Sequence, residues 1–196
     1  MTLLVAGLLI FLGVHSTRAL SDGFRSRMVA KLGLVPWKAV YALLSLVGFV
    51  LIVQGWSAAK AETALLYASP TWTRHLAALL VLPAFILLAA AYVPGTRIRA
   101  RVGHPMLLGT KFWAASHLVA NGLLHEVIVF GAFFAWAVLA YVAARRRDRR
   151  DGVVRVTGPV SRDLAAVVLG LVAYAVFAFW AHAVLFGVAP FARAAG

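Results

Sequence analysis

The 196-residue chain is 63% hydrophobic and 13% charged, with a formal net charge of +13 and no cysteine. So apolar a chain exceeds what a soluble domain of this size buries, which makes the class an integral membrane protein. The absent cysteines exclude disulfides, thiolate metal sites and covalent c-type haem attachment, and the surplus basic charge lies between apolar runs, where it reads as lipid-headgroup contact rather than nucleic-acid binding.

The first apolar segment, about residues 2–20, lacks a basic leader; its basic residues follow the apolar run instead. It therefore reads as an uncleaved transmembrane helix, not a signal peptide. A basic loop follows, with Arg18, Arg25, Arg27, Lys31 and Lys38 in or beside it. Pro36 suits the first turn of a second span, about 36–57. After a loop holding Lys60, Glu62 and Ser69-Pro70, a third span covers about 74–93, with Pro83 expected to kink it and Pro94-Gly95 to end it. Arg97, Arg99 and Arg101 fill the next loop. A fourth span, about 105–120, is short, and Asn121-Gly122 reads as a tight turn into a fifth, about 123–144. The run RRRDRRDGVVRVTGP is expected as a solvated loop before a sixth span, about 162–186.

The expected fold is all-α: a polytopic integral membrane bundle of about six transmembrane helices forming a single domain over residues 1–196. With the N-terminus outside, the three cytoplasmic loops carry fifteen Lys and Arg against three on the outer side. That bias orients the protein with both termini outside. Membrane lipid is one expected partner; a lipophilic small molecule and a redox partner are others, nucleic acid is not, and the oligomeric state is open.

Candidate chemistry concentrates in GHPMLLGTKFWAASHLVANG, residues 103–122. This apolar run carries Lys111, Trp113, His117 and Asn121, residues that a lipid-facing helix has little reason to hold without an internal partner. Trp113 and Asn121 stand four residues either side of His117 and share its face. Gly109, Ala114, Ala115, Ser116 and Ala120 are small enough for a neighbouring helix or a flat macrocycle to lie close. In the first segment His15 lies comparably deep, with Arg18 one turn beyond it as a candidate partner for a ligand carboxylate. His75, His125 and His182 fall at outer helix ends and His104 at an inner one, where an interfacial role suffices.

His15 and His117 are thus the candidate ligands of a cofactor, with haem the best match. Counting ~1.5 Å per residue from opposite surfaces of a ~30 Å core, their depths differ by ~10 Å, so a shared haem must tilt. If the depths do differ, His104 or His182 would replace one partner. The six acidic residues, Asp22, Glu62, Glu126, Asp148, Asp151 and Asp163, lie away from mid-membrane, so a carboxylate dyad or relay is not expected. GxSxG, HExxH and P-loop motifs are absent.

The segment GLLIFLGVHSTRAL and the run from WTRHLAALL to HLVANG resemble the NnrU family of bacterial membrane proteins over roughly residues 2–145. The family name derives from genes near nitrite and nitric oxide reduction loci, which implies a link to denitrification. The same stretches are similar to the plant 15-cis-zeta-carotene isomerase, a haem b membrane enzyme. That resemblance carries its haem-ligand roles onto His15, in Val14-His15-Ser16, and His117, after His104-Pro105 and Trp113. It implies an iron-dependent cis–trans isomerase acting on a lipophilic polyene. Two positions depart from that pattern: Ala114 stands where the plant enzyme has a cysteine, and Gly103 where it has arginine, so a thiolate–imidazole exchange is excluded here. The alternative is a non-catalytic membrane factor for nitrite or nitric oxide reduction or for respiratory-complex assembly. A lesser one follows from Gly103 to Gly109, which resembles the RHPxYxG element of S-adenosylmethionine-dependent membrane methyltransferases and would give His104 a cofactor-binding role.

Overall fold

The computed structural model describes residues 1–20 and 22–191, with the side chains of Arg18, Ala19, Leu20, Asp22 and Glu62 outside the described set. The helices in chain order are α1 (Thr2–Leu20), α2 (Asp22–Leu32), α3 (Leu34–Ala59), α4 (Thr73–Tyr92), α5 (Arg97–Val102), α6 (Pro105–Ala120), α7 (Leu124–Arg150), α8 (Val160–Val176) and α9 (His182–Phe186). A five-residue π-helical turn, Phe177–Ala181, joins α8 to α9, so the apolar helix continues through Val160–Phe186. The protein is an all-α membrane helical bundle.

Four of these helices are long and apolar enough to cross a membrane: α3, α4, α7 and Val160–Phe186. Against the six expected spans, α1 and α6 are the shorter ones. The 16 residues of α6 reach ~24 Å at ~1.5 Å per residue, less than a ~30 Å core. The principal packing runs α3–α1–α7–α6–α4–α8, each helix against the next. Among the described residues the six long helices therefore form an open row with α7 and α6 at its centre. Burial follows that order: 28% of the most apolar stretch of α7 is buried, against 11% of that of α3 at the row's end. Residues such as Leu43, Leu46 and Phe49 on α3 are exposed, as a lipid-facing surface requires.

The α1–α3 pair is close because glycines face backbone across it. A Cβ at Gly7 would lie 2.6 Å from Ile52 N, one at Gly48 2.8 Å from Phe11 N, and one at Gly55 would collide with the backbone of Leu4. Small residues admit this approach, and dispersion replaces a hydrophobic drive that lipid does not supply.

Several local expectations are corrected. The first basic loop contains α2, and the Arg97–Arg101 loop is the short helix α5, started by Thr96, whose hydroxyl accepts from Arg99 N. α7 runs on to Arg150, so the arginine run is helical rather than loop; arginine is a good helix former, and Asp148 is anchored from outside the helix. Pro83 lies inside α4, the position from which a proline kinks a helix. Asn121-Gly122 is extended, Asn121 having φ −125° and ψ 124°, because a second loop pairs with it. Leu66 N and Tyr67 N donate to Gly122 O, Leu124 N donates to Ala64 O, and Leu65 bridges Leu123.

Candidate functional site

Both candidate ligands rise from helices that pack on α7. His15 stacks on Phe11, one turn earlier in α1, with ring centroids 4.2 Å apart; Tyr41 of α3 is at 5.3 Å and Trp136 of α7 at 6.2 Å. Trp136 is itself fixed by its Nε1 donating to Ser16 Oγ at 3.1 Å. His117 lies against Phe130 of α7 at 4.5 Å and Trp113 of its own helix at 5.3 Å.

The two imidazoles share a hydrogen-bonding arrangement. His15 Nδ1 is 2.7 Å from Phe11 O, and His117 Nδ1 is 2.9 Å from Trp113 O. A carbonyl only accepts, so Nδ1 carries the proton in each ring. Ser116 reinforces this at His117: its hydroxyl donates to Trp113 O at 2.6 Å, leaving Oγ, 3.1 Å from Nδ1, to accept. In both rings the lone pair is therefore on Nε2, which has no hydrogen-bond partner among the described residues. A neutral imidazole pinned through Nδ1–H is the form that binds metal through the other nitrogen.

The rings are not placed on one axis. A chain of ring contacts joins them through Trp113, Phe133 and Phe11, with centroid distances of 5.4 Å and 5.9 Å. His117 sits at the level of Phe130 and His15 at that of Trp136, six residues on, or ~9 Å along α7 at ~1.5 Å per residue. For haem b, the donor chemistry and the aromatic wall fit. The spacing does not: one iron receives both nitrogens only if that offset is taken up. No group of three or more His, Cys, Asp or Glu residues that would hold a metal ion occurs among the described residues.

The other candidates separate. Lys111 Nζ lies 4.7 Å over the ring of Tyr141, a cation–π contact away from His117's ring neighbours. Asn121 contributes backbone, its N–H donating to His117 O at 2.8 Å and its carbonyl accepting from Tyr67 Oη at 2.7 Å. Arg18's side chain lies outside the described residues. Gly109 is used for helix packing, a Cβ there meeting Ala84 O of α4 at 3.0 Å, while Ala114 and Ser116 are fully buried. His182 donates from Nδ1 to Val188 O at 2.7 Å.

His104 belongs to a charged clasp that ties the start of α6 to the end of α7 and the loop after it. Its Nε2 lies 2.9 Å from Asp148 Oδ2, which also receives Arg155 Nη2 at 2.7 Å, with Arg145 Nη1 at 3.6 Å. Burial of the His104 ring lowers its pKa, and the Asp148 carboxylate opposes that without cancelling it. Gly103 has φ +78°, and Arg145 packs where its side chain would stand, so the site disfavours any larger residue.

His125 stands in the first turn of α7, at a helix end as expected, and is fully buried there in protein. Its ring meets Trp56 at 4.6 Å, its Nδ1 is 2.9 Å from Thr63 Oγ1, and its Nε2 has no partner among the described residues. Leu123 cannot cap α7 with its side chain. Thr63 does so from a distant loop, accepting from His125 N at 3.2 Å, and Glu126 Oε2 accepts from Leu123 N at 3.0 Å. Tertiary capping of this kind leaves no local sequence signal.

A family model described as NnrU protein matches residues 3–190. No curated protein and no solved structure matches the chain.

Proposed function

The chain belongs to the NnrU family, and from that premise we propose that it is a haem b-binding protein of the bacterial inner membrane, with His15 and His117 as the iron ligands. The observation that carries this reading is their shared tautomer: each Nδ1–H is held by a backbone carbonyl four residues earlier, leaving Nε2 open. Phe11, Trp113 and Phe133 would line the porphyrin. Their contacts lie where α1 and α6 meet α7, and the ~9 Å between the levels of the two histidines would be taken up by a tilted haem or a shift of α1 along α7. Haem would supply an iron centre whose behaviour is set by its axial ligands and the polarity around them. The orientation proposed is both termini outside, on the charge bias of the loops.

The test is the absorption spectrum of the detergent-purified protein, oxidised and dithionite-reduced. A sharp Soret band with split visible bands is expected. His15→Ala and His117→Ala should each change the spectrum while keeping some haem, and the double variant should lose stoichiometric haem. His75→Ala, at an exposed position, should leave it intact. A colourless protein that takes up no haem, or an unchanged spectrum in His117→Ala, overturns the proposal. Activity is tested separately, by expression in cells that accumulate poly-cis carotene precursors. A shifted isomer profile supports the polyene isomerase; an unchanged profile with haem bound assigns the protein to the membrane factors of nitrite or nitric oxide reduction.

A further inference from the structure

Where α1, α2 and α3 converge, His15, Thr17, Arg25, Trp37, Lys38 and Tyr41 line a cavity of about 220 Å³. This lies below the ~300–1,000 Å³ of sites that enclose drug-sized ligands, so it suits a headgroup rather than a macrocycle. Its lining has two cations and no carboxylate. Among the described residues neither Arg25 nor Lys38 has an ion-pair partner, unlike Arg145 and Arg155, which converge on Asp148. Trp37 Nε1 and Tyr41 Oη likewise have no hydrogen-bond partner there, while Thr17 spends its hydroxyl proton on Val14 O. Four residues with donor groups on two helices therefore line one space, and among the described residues none of those donors has a partner. Phe24 of α2 packs edge-on against Trp37 at 6.1 Å and fixes that wall.

We propose that this cleft binds the phosphate of an anionic phospholipid, with the guanidinium of Arg25 and the ammonium of Lys38 as counter-charges and Trp37 and Tyr41 as neutral donors. The acyl chains have a surface to follow: beside the cleft, Val35, Val40, Leu43 and Leu44 of α3 are exposed. A free phosphate would use the charges but not that apolar strip. Tryptophan and tyrosine beside lysine and arginine are also the side chains that gather at the headgroup level. The cleft shares His15 with the haem reading but does not depend on it, because neither cation nor either neutral donor is a proposed iron ligand.

The experiment is native mass spectrometry of the full chain, released from nanodiscs containing phosphatidylglycerol and phosphatidylcholine of identical chains, with the Soret absorbance read on the same samples. One retained phosphatidylglycerol per chain is expected. Arg25→Gln with Lys38→Gln should weaken retention by roughly 30-fold, a factor of about five for each cation near a headgroup. The exchange Arg25→Lys with Lys38→Arg should keep it. Arg146→Gln with Arg149→Gln removes the same charge from exposed positions on α7 and should leave retention unchanged. The assignment is overturned if phosphatidylcholine is held equally or if the α7 pair costs as much. It is also overturned if millimolar inorganic phosphate displaces the lipid, which makes the site one for the free anion. Loss of the Soret band with lipid retention unchanged assigns the cleft to haem carboxylates and overturns it too. Loss of lipid with the Soret band intact supports the lipid site whatever the fate of the haem reading.

Discussion

α1 and α6 each bring one histidine to α7, but they are held in different ways. α1 lies against α3 across backbone-to-glycine contacts at Gly7, Gly48 and Gly55, and its polar tie to α7 is the bond from Trp136 to Ser16. α6 is fastened at both ends. At one, His104 meets Asp148 and Tyr141 Oη donates to Val102 O at 2.7 Å. At the other, the single Tyr67 hydroxyl proton is shared between Leu118 O and Asn121 O, Ser69 Oγ donates to Val119 O at 3.0 Å, and Thr63 caps α7. The α1–α3 pair is thus a wing whose place depends on shape, while α6 and α7 form a body tied by directional bonds, with α4 and α8 added by the close approach of Gly109 to Ala84 and Gly170 to Ile86. The wing also carries the open cleft.

The largest expected effect tests shape on the wing. Gly55→Leu places a branched side chain against the backbone of Leu4, which cannot rotate away. Overpacking of this kind costs about 1–3 kcal/mol and sometimes more, and here the only relief is separation of α1 from α3. The variant should melt well below wild type in detergent and alter the environment of His15 while sparing that of His117. A Cβ added at Gly13 of α1 would meet nothing within 4 Å; Gly13→Ala should stabilise by roughly 0.5–1 kcal/mol through helix propensity. Equal losses in both variants would mean that close approach does not hold the wing.

A smaller loss is expected where directional bonds hold the body. Asp148→Asn removes the charge that His104, Arg145 and Arg155 share, on a side chain 13% exposed. Hydrogen bonds to a charged acceptor are worth about 1.5–3 kcal/mol, and the neutral amide oxygen of Asn keeps only part of that. Proteolysis between Arg150 and Pro159 should quicken, because Arg155 is tied to the Asp148 side chain. Unchanged melting and proteolysis would show that the clasp is a surface arrangement without energetic weight.

What the sequence alone makes legible follows the same division. Apolar runs bounded by Pro, Gly and arginine mark the long helices because burial in lipid imposes length and hydropathy on them. The candidate histidines stand out because ionisable residues are costly in an apolar run. Pairings between distant loops leave no such mark. Nothing local to Asn121-Gly122 announces that Leu65–Tyr67 will hold it extended, nor does anything near His125 announce Thr63. The arginine run after Ala144 reads as solvated loop because its anchor, His104, is forty-four residues away. The order of helices in the row is likewise a matter of packing, which local periodicity does not encode.

The smallest expected effect is a pH dependence at His104. Burial is the largest influence on this ring and lowers its pKa; Asp148 raises it, and Arg155 and Arg147 lower it further, so the folded value lies below the ordinary one near 6.5. The folded protein therefore holds the imidazole neutral, its Nε2–H donating to Asp148, in a range where an unfolded chain would already take up a proton. With the folded pKa depressed, the stabilisation is fully present above about pH 6.5 and is lost as pH falls through the folded value. Melting temperature in detergent should decline over that window in wild type. His104→Gln keeps an N–H donor for Asp148 but cannot titrate, so its decline should be shallower, with little difference from wild type at pH 8. Since Asp148 is bonded to two arginines as well as to His104, the difference is expected to be modest. Parallel profiles for the two proteins would show that protonation of His104 does not load the clasp.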